Sequence, residues 1–247
     1  MALIEVNDFK KRFGDKVVHD GVTFFVRRGE CMGLVGGSGA GKSVILRSLI
    51  GLERPDSGSI IIDGREITKV LEADFIQIRK KVAYAFQGGA LFDSMTVREN
   101  LAYPLEQHTK QNESEILDKV RIQLDEFGLI DALNLYPSEL SGGMQKRVGL
   151  ARAMMLEPEI MLYDEPTAGL DPYNTIKIQE LILRLKSKGV TSILVTHDIP
   201  TALEVCDKIA FLKDKVIAEQ GTIDQLQNQI RNRSEGLINQ FMQGKVV

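Results

Sequence analysis

The chain has 247 residues, 43% of them hydrophobic and 26% charged, with 31 Lys and Arg against 34 Asp and Glu and a formal net charge of −3. These values exclude a disordered or fibrous polymer and allow one elaborated domain, or a core carrying a subdomain, with a well-buried interior. They also argue against a general nucleic-acid binder, which needs clustered cations to neutralise phosphates, because no basic run exceeds Lys10-Lys11-Arg12.

In chain order, residues 3–9 and 22–26 have the apolar pattern of strands separated by the polar turn Gly14-Asp15-Lys16. Residues 31–35 predict a short apolar strand, followed by a glycine-rich turn and a helix over 42–50 that Gly51 stops. A strand over 82–86 precedes a long helical stretch, 91–157. There Thr96/Glu99 and Asn112/Glu115 have capping-box form and Gly128 closes the second helix. After Pro158 the pattern alternates again: strand 160–163, helix 173–188 closed by Gly189, strand 192–195, and a helix after Asp198. Strands separated by helices imply a parallel sheet. The last residues, 234–247, carry Leu237, Ile238, Phe241 and Met242 at helical spacing, an apolar stripe expected to dock on a neighbouring subunit. Cys31 and Cys206 lack metal-ligand spacing and are expected as buried thiols of a reducing compartment. The amino terminus has no basic stretch followed by an apolar one, and no window approaches the ~18 apolar residues of a membrane span, so a soluble, cytoplasmic chain is expected.

Three segments carry chemistry. Gly36-Gly37-Ser38-Gly39-Ala40-Gly41-Lys42-Ser43 matches the phosphate-loop pattern and lies between a strand and a helix, where its amides and the helix N-terminus can surround an anion. Lys42 would reach the β and γ phosphates and the Ser43 hydroxyl would ligate Mg²⁺. Asp164 and Glu165 end an apolar strand, at the sheet edge where such folds bind ligands. Asp164 would hold the metal and Glu165 would deprotonate the attacking water, whereas alone the pair would read equally well as a helix cap. Leu140-Ser141-Gly142-Gly143-Met144-Gln145-Lys146 opens another helix and offers a second anion-ready start, although by itself Ser141 would be a simple N-cap.

With this third segment the sequence resembles the ATP-binding-cassette (ABC) ATPases over about residues 3–220. The resemblance implies an α/β fold, a RecA-like P-loop NTPase core with an N-terminal antiparallel β subdomain and an inserted helical subdomain. It divides the chain into an ATPase domain, 1–233, and a C-terminal helical tail, 234–247. Within the domain, 1–90 and 158–220 form the β and nucleotide-binding core and 91–157 the helical signature subdomain. The implied ATP-binding set is Phe13, stacking on adenine, with Gly36, Gly37, Ser38, Gly39, Ala40, Gly41, Lys42, Ser43 and the next position, Val44. The implied catalytic set is Glu165, His197 as the γ-phosphate switch, Gln87 between metal, water and helical insertion, and Lys42. Ala168-Gly169-Leu170-Asp171 matches the loop through which two subunits communicate. Taken singly, Phe13 reads as core, Gln87 as a surface amide and His197 as structural; His19 and His108 carry no comparable context.

The implied enzyme is a Mg²⁺-dependent ATPase acting as a head-to-tail dimer in which Ser141 and Gly143 of each copy complete the other's site. The segment from Phe86 to Val97, Tyr103-Pro104-Leu105, and Met144 inside the signature resemble the ATPases of mammalian-cell-entry (MCE/Mla-type) phospholipid transporters, from which Gly88-Gly89 departs slightly. That resemblance implies an integral membrane permease, a small regulatory domain protein and a periplasmic lipid-binding MCE protein as partners, no nucleic acid, and a place on the cytoplasmic face of the inner membrane. Ala90, Leu91, Phe92 and Met95 are equally expected to contact the permease or to pack the helical insertion. A regulatory or cell-division cassette, or an importer ATPase for another small substrate, remains open as the alternative. A chromosome-type ATPase would need a long coiled coil, and only about one hundred residues without heptads separate Gly36 from Ser141.

Overall fold

The computed structural model describes residues 2–231, 236–243 and 245. In chain order the strands are β1 (Ala2–Phe13), β2 (Lys16–Arg27), β3 (Cys31–Val35), β4 (Ser57–Ile62), β5 (Arg65–Glu66), β6 (Val82–Ala85), β7 (Ile160–Asp164), β8 (Thr191–Thr196), β9 (Lys208–Lys213) and β10 (Val216–Thr222). The helices are α1 (Lys42–Leu49), α2 (Glu72–Lys81), α3 (Val97–His108), α4 (Glu113–Glu126), α5 (Gly142–Ala153), α6 (Pro172–Ser187), α7 (Ile199–Val205), α8 (Ile223–Arg231) and α9 (Leu237–Met242).

An antiparallel four-stranded sheet, ordered β2-β1-β4-β5, stands beside a six-stranded sheet ordered β10-β9-β3-β8-β7-β6. In the second sheet only the edge strand β10 runs antiparallel to its neighbour. The opening hairpin outruns the expected strands because register shifts near Phe9 and Lys11 reset which side chains face inward, so simple alternation ends before the pairing does.

The larger sheet is covered on both faces, which is why β3 and β8 are buried from end to end and read as continuous apolar runs. Alternate residues divide between two cores. Met32, Leu34, Leu162, Ile193 and Val195 pack toward the antiparallel sheet and α1, while Cys31, Val35, Met161, Tyr163 and Leu194 pack toward the helices on the other side. Region 91–157 contains α3, α4 and α5, and both capping boxes form there: Thr96 with Glu99 and Asn112 with Glu115.

The tail departs from expectation. Ile238 is 1% exposed, Leu237 and Phe241 pack on this chain's own core, and the Phe241 ring lies 5.1 Å from that of Phe211 on β9. Leu237, Ile238 and Phe241 are therefore covered from within, because β9, β10 and α8 supply the surface that a neighbouring subunit was expected to supply. The boundary at 233/234 and residues 234, 235, 244, 246 and 247 of the expected tail fall outside the described residues. Among the described residues no helix is long and apolar enough to cross a membrane.

Candidate nucleotide site

β3 ends at Val35 and the chain turns through six residues into α1, which places the phosphate-loop pattern at the carboxyl end of a central strand. Two of its glycines are dictated by space. A Cβ on Gly36 would stand 2.5 Å from the Leu212 carbonyl, and one on Gly41 would stand 2.5 Å from Val18 and 2.7 Å from His19, with φ at 92°. Gly41 is also the N-cap of α1 and provides no side-chain cap, so the first helical amides stay open to an anion. Ser38 and Gly39 are exposed, whereas Gly37 and Ala40 are half-buried. Val44 belongs to the helix, its amide donating to the Gly41 carbonyl at 2.9 Å, and its side chain brings no polar group to the loop.

Lys42 is 6% exposed; its Nζ donates to the carbonyls of Gly36 (2.8 Å) and Gly37 (2.9 Å) and stands 3.9 Å from Glu165 Oε1. Burial pulls the pKa of this ammonium down, opposed by the carboxylates of Glu165 and Asp164. Ser43 Oγ donates to Asp164 Oδ1 at 2.7 Å, joining the loop to the end of β7. The other oxygen of Asp164 accepts from the Tyr84 hydroxyl at 2.6 Å. Burial, reinforced by that donation, pushes the Tyr84 pKa far up, so the phenol keeps its proton. Hydroxyl and carboxylate oxygens beside an anion-ready loop fit Mg²⁺, which takes one or two carboxylates and completes its shell with phosphate and water. Among the described residues no group of three or more His, Cys, Asp and Glu forms a protein-only cage.

Glu165 has a left-handed backbone, φ 49°, unusual for a residue with a side chain and worth about 1–3 kcal/mol of strain. Its amide is held by the Val195 carbonyl at 2.9 Å, and its carbonyl accepts from the Ala168 amide at 3.2 Å. The carboxylate accepts from Thr196 Oγ1 at 3.3 Å and from His197 Nδ1 at 3.0 Å. Lys42, Ser43, Asp164, Glu165 and His197 are thus brought together across the edges of β3, β8 and β7.

The remaining expected residues surround this centre. Phe13 is 45% exposed at the end of β1, with Lys11 Nζ 4.8 Å from its ring centre, so it presents an aromatic face and is not core. Gln87 is exposed in the turn after β6, the strand beside β7. Just beyond it the chain is bound to α5: Arg152 Nη2 donates to the carbonyls of Ala90 (2.6 Å) and Gly89 (3.4 Å), and a Cβ on Gly149 would stand 2.7 Å from the Gly89 carbonyl. Ala90 and Phe92 are exposed, while Leu91 packs on the core. Ser141 caps α5 by accepting from the Met144 amide at 3.3 Å and is exposed with Gly142. Gly143, expected to face a second copy, is instead buried under Asn174, whose Oδ1 would stand 2.4 Å from an added Cβ. Asn174 in turn donates to Asp171 from its amide (3.0 Å) and side chain (2.6 Å), and Lys146 Nζ donates to the Ala168 carbonyl at 2.5 Å. The Ser141 turn and residues 168–171 therefore form one packed unit.

Sequence reading missed Tyr84, Lys146 and His19. Tyr84 pairs in register with Leu162, two residues before Asp164 on the adjoining strand, a pairing that no local sequence signal reveals. Lys146 and His19 meet their partners only through the fold.

A family model described as ABC transporter matches residues 19–168, and the chain belongs to that family. Within it, the chain is an ATP-binding and ATP-hydrolysing subunit of a transport system. It is 43% identical over 98% of its length to the probable ribonucleotide transport ATP-binding protein mkl of Mycobacterium tuberculosis, 67% of which it covers. It is 37% identical, over 98% of its length and 89% of the relative, to the intermembrane phospholipid transport system ATP-binding protein MlaF of Escherichia coli. Among solved structures, a dimeric post-hydrolysis state of the cassette MJ0796 bound to ADP and Pi superposes with a TM-score of 0.83 at 29% identity, covering 89% of this chain and 98% of that one. An ATP-binding subunit of an ABC transporter superposes at 0.82 with 32% identity over 98% of both chains.

Proposed function

We propose that this subunit hydrolyses ATP with Mg²⁺ at two shared sites of a head-to-tail homodimer and so drives a membrane-embedded phospholipid permease. The observation that carries the chemistry is the convergence of Lys42, Ser43, Asp164 and Glu165 at one sheet edge, with Ser43 and Asp164 in direct contact. The loop amides and Lys42 stabilise phosphate charge. Ser43 and Asp164 would hold Mg²⁺, which would supply positive charge to neutralise the phosphates. Glu165 orients the attacking water and takes its proton as the γ-phosphoryl–ADP bond breaks. His197 holds that carboxylate and reaches toward the γ-phosphate, while Gln87 reports the state of the site to α5. Phe13 offers its face to adenine.

The exposed turn Ser141-Gly142 supports completion of each site by the second copy, in keeping with the dimeric relative. The exposed aromatics Phe86 and Phe92 beside the Gln87 turn support a permease contact there. A regulatory protein and a periplasmic lipid-binding MCE protein complete the assembly, which sits at the cytoplasmic face of the inner membrane. Phospholipid cargo rests on the MlaF likeness across 98% of the chain and on the Phe86–Val97 and Met144 signatures. The mycobacterial relatives, named for ribonucleotide transport, favour a nucleotide cargo as the second reading. Purifying the tagged subunit with its membrane partners, reconstituting the complex in vesicles and following labelled phospholipid and labelled ribonucleotide separates the two. ATP-dependent movement of the nucleotide alone would overturn the lipid reading.

A further inference from the structure

His19, on β2, is fully buried, at 0% exposure, opposite Lys11 in the hairpin and against the ring of Phe9. Burying an imidazole is costly unless it makes a hydrogen bond that an apolar side chain would not. Its Nε2 lies 3.0 Å from the carbonyl oxygen of Gly41, the last residue of the phosphate loop. A carbonyl only accepts, so Nε2 carries a proton, and burial, which lowers the pKa, favours the uncharged form of the ring. Nδ1 has no partner among the described residues, so the Gly41 carbonyl alone among them anchors the polar edge of the ring. Phe9 meets the ring edge-on at 5.4 Å and fixes its plane.

The geometry assigns His19 as a positioning residue for the phosphate loop, holding the Gly41–Lys42 peptide so that the Lys42 amide points into the anion site. The physical reason is peptide planarity: in a trans peptide the C=O and the following N–H point in opposite directions, so anchoring one aims the other. Gly41 needs this external anchor because it is left-handed, at φ 92°, carries no side chain and caps α1 without a side-chain bond. Its carbonyl accepts from the Val44 amide within the helix and from His19 outside it, which uses both lone pairs.

The inference rests on reading 36–43 as the phosphate site, and Lys42→Ala tests that reading separately. Binding of a non-hydrolysable ATP analogue with Mg²⁺ is measured by calorimetry, and turnover is measured as kcat and KM. His19→Leu, which fills the space without a donor, is expected to weaken binding and raise KM about five- to tenfold, the worth of one hydrogen bond, with kcat within about twofold. His19→Gln, whose side-chain amide can place a donor near the Nε2 position, is expected to restore binding to within about twofold of the parent. Parental affinity in His19→Leu, or equal weakening in His19→Gln and His19→Leu, overturns the assignment. If His19→Leu yields no folded protein, His19→Asn replaces it: its shorter amide falls short of Gly41, so equal affinities for the Asn and Gln variants overturn the assignment. Weak binding in Lys42→Ala together with parental binding in His19→Leu refutes the role of His19 and leaves the site intact.

Discussion

The chain contains two glycine-rich turns that each open a helix, and they are treated in opposite ways. The turn before α1 is closed in by its own chain: Lys42 is bonded to two loop carbonyls, Ser43 to Asp164, and Gly41 to His19. The turn before α5 displays Ser141 and Gly142 to the outside and buries only Gly143, against Asn174. A helix N-terminus has orphan amides in both cases, but only the first has the carboxylates of Asp164 and Glu165 beside it. On the proposed function one turn is the site and the other is half of an interface, so the same local chemistry takes its role from what packs around it.

That contrast is open to experiment, beginning with the largest effect. Ser141→Arg places a bulky side chain on the exposed turn and is expected to lower turnover by ~10³-fold or more, as loss of completion in trans does elsewhere, while ATP still binds the single chain. Unchanged steady-state hydrolysis would show that this turn takes no part in the site. Glu165→Gln is expected to cut kcat by ~10²–10⁴-fold and to leave an ATP-bound dimer visible by size-exclusion chromatography. Normal turnover in that variant would remove Glu165 from the chemistry. Lys42→Ala should weaken ATP binding by about 10²-fold, and parental affinity by calorimetry would detach the first turn from phosphate.

Two smaller effects sharpen the picture. Tyr84→Phe removes only the hydroxyl that holds Asp164 Oδ2, and is expected to weaken Mn²⁺ binding to the nucleotide complex about tenfold, read by electron paramagnetic resonance. Equal Mn²⁺ affinity would mean that Asp164 is positioned without it. Phe241→Leu removes the ring pair with Phe211 and should cost about 1 kcal/mol in denaturant unfolding while complex assembly survives. Loss of assembly at full stability would return the tail to an intersubunit role.

Local pattern determined much of this protein. The phosphate loop, the apolar strand ending in Asp164-Glu165, both capping boxes and the Ser141 turn were legible because each depends on neighbours within a few residues, where backbone geometry and side-chain reach are set by the sequence itself. The strand extents in the opening hairpin were less legible, since bulges reset the alternation that reveals a strand. Tertiary structure alone decided the rest. His19 meets Gly41 across 22 positions, Tyr84 meets Asp164 across 80, and Lys146 meets Ala168 across 22, each through the packing of separate elements. It also decided that Leu237, Ile238 and Phe241 of α9 lie on the chain's own core, because amphipathic spacing states only that a face must be covered, and the fold determines which surface covers it.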